Sequence, residues 1–229
     1  MNLKEGKRPS YALYLNCNFN MNPRQLSIIA GLSYLVIFFA AIFANFFVLE
    51  SLLAAPLETV QQNNLMVRFG AVAFLAAAVF DVVVAWALYL LFKKHPLTNL
   101  STYFRIMHAA IMGIAVFALM LTVSLTTAAE ILKQVEIFNI MWLIGLFFFG
   151  IHLILLGRIL QKPFFIVFFL ILAGMMYLLD TAAHFLLVNY DEYSSIFLTL
   201  VAIPSVIGEM SLAVWLLVKG GKSALKELK

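Results

Sequence analysis

Residues 66–92 read MVRFGAVAFLAAAVFDVVVAWALYLLF and are followed at once by Lys93 and Lys94. The run exceeds the roughly 20 helical residues that cross a bilayer core of about 30 Å. It is continuously apolar rather than alternating, so it reads as a spanning helix and not as a barrel strand. One acid, Asp81, stands near its middle, and the two lysines mark where it leaves the membrane.

Five further segments have the same character. The six spans are predicted near residues 26–50, 66–92, 100–126, 137–160, 163–188 and 196–218. Over the whole chain of 229 residues, 64% are hydrophobic and 11% charged, and the mean hydropathy is +1.02. A soluble domain carries roughly a quarter charged residues, so the expected class is all-α, a polytopic membrane protein with six helices in one bundle. Of the fifteen lysines and arginines, all but Arg68 and Lys133 fall on one side if both termini lie together. The positive-inside rule then places both termini in the cytoplasm. Basic edges of this kind suit topology and anionic headgroups, so the lipid bilayer is the expected partner and a nucleic acid is not.

Loops are short. Residues 51–65 are the longest connection and read equally as an amphipathic interfacial segment, in which Pro56 would start or break a helix, or as a simple outer loop. Thr127 and Glu130 have capping-box spacing, which predicts a helix start there that continues into the fourth span. Residues 1–20 are mixed polar and aromatic, and Met21-Asn22-Pro23 resembles a second translation start, so this region is expected to be a disordered extension without a cleaved signal. Cys17 is the only cysteine, which rules out an internal disulfide or a cysteine metal cluster.

Seven ionisable side chains interrupt the spans: Asp81, Arg105, His108, His152, Asp180, His184 and Glu209. An aspartate or arginine costs about 2.5–3.5 kcal/mol near a bilayer centre on insertion scales, and ionisable residues of this kind face a bundle interior or a polar cavity. Helical rise puts Asp81, Arg105, His108, His152 and Glu209 between the bilayer centre and the cytoplasmic end, with Arg105 and His108 on one face. Asp180 and His184, four residues apart, form a separate outer pair, read as a hydrogen-bonded dyad. Pro204 and Gly208 are expected to kink the sixth span near Glu209, with Ser205 one turn away and in hydrogen-bonding register with it. Ala109 and Gly113, one turn apart on the third span, similarly permit a close helix approach without implying a ligand.

Three functions fit this band. Arg105 paired to Asp81 or Glu209 can simply hold helices together, making this a structural or partner-binding membrane protein. A cytoplasm-facing polar pocket can bind or transport a small or amphipathic, lipid-like solute, with acids and histidines as proton carriers. Finally, His108, His152, Asp81 and Glu209 include metal-ligand types, the basis for an intramembrane metal-dependent enzyme. That reading lacks a His-Glu-x-x-His motif, and nucleophilic catalysis lacks a Gly-x-Ser-x-Gly motif. No metal, no other cofactor and no catalytic residue is assigned; binding or transport is the first expectation.

The residues also carry a likeness. Ile29 to Leu35, Arg68 and Phe69, Asp81, Phe104 and Arg105, Phe149, Gly150 and His152, Leu156 and Gly157, Tyr177 and Asp180, and Ile207 to Glu209 resemble an uncharacterised prokaryotic membrane-protein family, domain of unknown function 4386. The likeness covers Met21 to Lys219. It implies a multi-span architecture and no reaction, and it marks Arg68, Asp81, Arg105, His152, Asp180 and Glu209 as family-like polar positions.

Overall fold

The computed structural model describes residues 21–221; the expected extension 1–20, with Cys17, lies outside the described residues. Among them the protein is all-helical. The elements are α1 (Pro23–Ala54), the short α2 (Pro56–Gln62), α3 (Asn64–Phe92), α4 (Thr98–Thr122), α5 (Ala128–Leu160), α6 (Phe164–Leu186) and α7 (Ser194–Val218), with a single 3₁₀ turn at Tyr190–Glu192 before α7. Six are long and apolar enough to cross a membrane. The chain is a multi-pass membrane protein.

Local chemistry sets the ends. Pro23 begins α1 without sacrificing a backbone bond, Asn22 Oδ1 accepts from the Arg24 amide at 3.0 Å, and Gln25 Oε1 accepts from the Asn22 amide at 3.2 Å. Pro56 starts α2, whose Val60 and Thr59 turn inward. Thr127 caps α5, receiving the Glu130 amide at 3.4 Å and donating to the Glu130 carboxylate at 2.7 Å. The fourth spanning helix therefore starts well before residue 137. At about 1.5 Å per residue its 33 residues exceed the hydrocarbon thickness, so the first turns project beyond it. There Ile131, Val135 and Phe138 are fully buried, while Glu130, Lys133 and Glu136 stay exposed.

The six long helices alternate up and down, and neighbours in the chain pack side by side. The ring is closed where α1 meets α7. Arg24 makes this closure: its Nη1 donates to the carbonyls of Leu216 and Gly220, both at 3.1 Å, and its Nη2 to that of Leu217. These are carbonyls at the end of α7, where helical partners run out and a cation is favoured. Gly31 is seated on Leu217 and Ala213 in the same contact.

From Phe43 onward the arrangement changes. Residues Phe43–Leu49 of α1 wind as a π-helix, and this part of α1 leans onto α3, where Gly70 admits Val48. Among the described residues it has no packed interface with α7. Two cores result. Leu26, Tyr34, Leu88, Leu153, Leu156, Leu170, Leu212 and their neighbours fill the half of the bundle nearest Pro23 and Val218. The other core, with Val48, Leu52, Val67, Phe74, Leu119 and Phe138, joins only α1 to α5 at the opposite end.

Close helix approach occurs at glycines other than Gly113. A methyl added to Gly113 meets nothing within 4 Å, whereas one on Gly174 lies 2.5 Å from the Gly150 carbonyl oxygen. Gly150 and Gly174 are thus the backbone contact between α5 and α6. Gly174→Ala is expected to cost about 1–3 kcal/mol through forced separation of the helices. Gly113→Ala should be neutral or slightly stabilising, by up to about 1 kcal/mol. Thermal unfolding of the two variants in the same detergent checks the pair; equal loss in both contradicts the assignment.

Candidate functional site

Arg105 is the largest fully buried side chain among the described residues, at 1% exposure. It reaches from α4 across to α3, and its Nη2 donates to Asp81 Oδ1 at 2.5 Å while Nε donates to the Asp81 backbone carbonyl at 3.3 Å. Nη1 donates to the Tyr34 hydroxyl at 2.7 Å and to His152 Nε2 at 3.2 Å. The guanidinium lies over the rings of Tyr34 and Phe149, 4.8 and 5.2 Å from their centroids. One cation therefore links α1, α3, α4 and α5, and its charge is compensated by Asp81, hydrogen bonds and two aromatic faces.

Hydrogen-bond logic assigns the histidine protons. His152 Nε2 accepts from Arg105, so its proton is on Nδ1, which faces the Ser101 carbonyl and hydroxyl, each at 2.9 Å. His152 is neutral in this arrangement. His108 Nδ1 is 2.9 Å from the Gly145 carbonyl, an oxygen that can only accept, so Nδ1 is again the donor. Its Nε2 lies 3.5 Å from Asp81 Oδ2. Two lone pairs facing each other are unfavourable, so a further proton belongs on this axis, held by His108 as an imidazolium or by Asp81 as an acid. Phe149 packs between the two histidine rings, with centroids 4.7 Å from His108 and 5.7 Å from His152.

This network forms the floor of a cavity of about 880 Å³. The walls are mainly apolar, with Phe38, Phe74, Trp142 and Tyr177 prominent, and polar groups come from Tyr34, Asp81, His108 and Glu209. The expected pocket in the cytoplasmic half is displaced. The cavity rises from the middle of the bundle away from Pro23 and Val218, reaching Glu50, Leu53, Tyr190 and Ser194 at the other end. The reason is packing: the leucine-rich core leaves no space beneath Arg105, whereas the second core omits α6 and α7 and leaves room beside them.

Glu209 lines the cavity, and its carboxylate has no hydrogen-bond or ion-pair partner among the described residues. Arg105 has chosen Asp81. Ser205 is not bonded to Glu209; its hydroxyl donates to the Ala202 carbonyl at 3.1 Å within α7. The predicted outer dyad is also rearranged. Asp180 Oδ1 accepts from the Tyr190 hydroxyl at 2.7 Å, and the Tyr190 ring packs edge-on to His184 at 4.5 Å. Tyr190 thus inserts where a direct bond between Asp180 and His184 is expected. Burial and the Asp180 carboxylate raise the Tyr190 hydroxyl above the usual tyrosine range, so it remains a donor throughout ordinary pH. His184 lines the same cavity as Asp81 and Glu209, and its Nδ1 is the one buried side-chain nitrogen or oxygen without a partner among the described residues. Arg68 is remote, exposed and bonded through Nε to Asn64 Oδ1 at 2.7 Å.

Tyr34, Ser101, Phe149, Tyr177 and Tyr190 belong to the site although sequence reading did not select them. Aromatics are common on apolar helices, and only the ionisable residues stand out from hydrocarbon. Among the described residues no three His, Cys, Asp or Glu side chains are grouped to hold a metal ion. Arg105 occupies the position between Asp81 and His152 that a metal would need, so the donor set does not fit the metalloenzyme reading.

Removing one partner from a buried ion pair leaves an uncompensated charge, at about 3–5 kcal/mol. Asp81→Asn and Arg105→Met should each lower stability by that order. The double variant should recover a large part of the loss, because neither charge remains. Unfolding measurements on the three variants test this; additive losses would show that the pair is not coupled.

No curated protein and no solved structure matches the chain. A family described as Domain of unknown function (DUF4386) matches residues 29–220, a range that begins within α1 and ends just after α7. The matched region contains Tyr34, Asp81, Arg105, His108, His152 and Glu209, so the network and its cavity lie wholly inside the family's domain, and the chain belongs to the DUF4386 family.

Proposed function

We propose that this protein binds, and carries, a small or amphipathic solute in the cavity between α1–α5 and α6–α7, with proton exchange at Asp81 and His108. The observation that supports this most directly is the combination of a large apolar cavity with a proton-bearing polar floor. A network needed only to hold helices together does not require an open cleft of this size beside it. Ligand sites are typically clefts of roughly 300–1,000 Å³ with apolar walls and a few convergent polar groups.

Proton coupling follows from the Asp81–His108 axis. A solute that changes the field around Asp81 shifts the proton shared between Asp81 and His108. Arg105, Tyr34, His152 and Glu209 are the charged or titratable neighbours that set this field. In the orientation given by the lysines and arginines, the cavity mouth faces the outside of a prokaryotic cell membrane.

Binding can be read with N-phenyl-1-naphthylamine, an uncharged aromatic probe, by energy transfer from Trp142 in a variant with Trp86 and Trp215 replaced by Phe. Saturable transfer is expected in phosphatidylcholine nanodiscs. Ala41→Phe with Ala78→Phe, which fills the cavity from two walls, should weaken it by about tenfold or more, worth about 1.4 kcal/mol. The lipid-facing Ile114→Phe should leave it unchanged. Transfer that never saturates, or is equal in the cavity and lipid-face variants, removes this reading.

A further inference from the structure

Resting on that reading of the cavity, we propose that its solute is an amine amphiphile, an apolar tail with an ammonium head, that enters from the bilayer between the outer halves of α1 and α7 and pairs with Glu209. Three independent features of the cavity carry this. The first is charge. Arg105 is committed to Asp81, Tyr34 and His152, and among the described residues no cation or donor is bonded to Glu209. A carboxylate at a low-dielectric wall is stabilised by a cation far more than one in water. Phe38 and Tyr177 line the same space and offer aromatic surface to an ammonium group.

The second feature is the route. Past Ile42, α1 turns onto α3 through its π-helical stretch and loses its packing against α7. Both sides of this gap are apolar and exposed: Phe39, Phe43 and Phe46 on α1, Leu198, Ile203 and Val206 on α7. Phe46, Leu198 and Val206 also line the cavity. Side chains of this kind meet acyl chains, so the opening admits a solute already dissolved in the membrane. An alkyl tail can stay between these residues while the head reaches the polar floor.

The third feature is the field at the mouth. Glu50, Glu58, Glu130, Glu136, Asp191 and Glu192 are all exposed at the end of the bundle to which the cavity rises, against Arg68 and Lys133 among the described residues. Such a field concentrates cations and repels anions. An anionic amphiphile of equal length would meet Glu50 at the mouth and Glu209 and Asp81 within.

Displacement of N-phenyl-1-naphthylamine from the protein in phosphatidylcholine nanodiscs separates the alternatives. Dodecylammonium, dodecanol and dodecyl sulfate, below their micellar concentrations, share a tail and differ in head charge. Dodecylammonium is expected to displace the probe at about tenfold lower concentration than dodecanol, with dodecyl sulfate weakest. Glu209→Gln should remove the preference for the amine while the probe itself still binds, and Glu209→Asp should retain part of it. If the amine and alcohol are equivalent, or the preference survives in Glu209→Gln, the assignment of Glu209 is overturned and the cavity reading stands. Failure of the probe to bind at all overturns both.

Discussion

The pairing of Arg105 with Asp81 is the constraint on which the rest of the structure depends. A guanidinium cannot be left alone in a membrane bundle, and its planar fork of donors must be matched almost completely. Asp81 takes two of the bonds, one through its side chain and one through its own backbone carbonyl. Tyr34 and His152 take two more. Each partner comes from a different helix, so satisfying one side chain fixes the mutual rotation of α1, α3, α4 and α5. His108, one turn along α4, is then brought to Asp81 with no freedom of its own.

Above and below this plane the bundle is built differently. Beneath it, leucine and alanine side chains close the interior, and Arg24 ties the start of α1 to the end of α7. Above it, α1 to α5 share a core that α6 and α7 do not join. The π-helical stretch in α1 belongs to this asymmetry, because it carries the helix toward α3 as α7 diverges. Such stretches are frequent at functional sites, and here Phe46 and Leu49 from the stretch border the cavity. A polar floor, aromatic walls and an unpaired acid are consequently accessible from one half of the membrane only.

The helices were legible because hydrocarbon imposes an unbroken apolar length, and the helix starts at Pro56 and Thr127 were legible because such signals are local. Arg105 as the centre of charge compensation was also readable, since it is the sole arginine deep in a span facing two candidate acids. Which acid it takes was not: Asp81 and Glu209 have similar depth, and lateral position around the ring decides. Ser205 is one turn from Glu209 and yet bonds to Ala202, because a hydroxyl on a helix finds a carbonyl of its own preceding turn at no cost in order. Gly113 shows the same limit, since a glycine permits an approach without requiring one.

Sequence alone determined the membrane class, the six spans and which ionisable side chains interrupt them. These depend on solvent transfer and on rise per residue, which are properties of single segments. The tertiary structure decided which members meet, that Tyr34 and Phe149 complete the network, and that Tyr190 stands between Asp180 and His184. It also decided that the open space lies away from the chain ends rather than toward them. Those outcomes depend on how one helix faces another and on which side chains fill the space between, and no single segment carries that information.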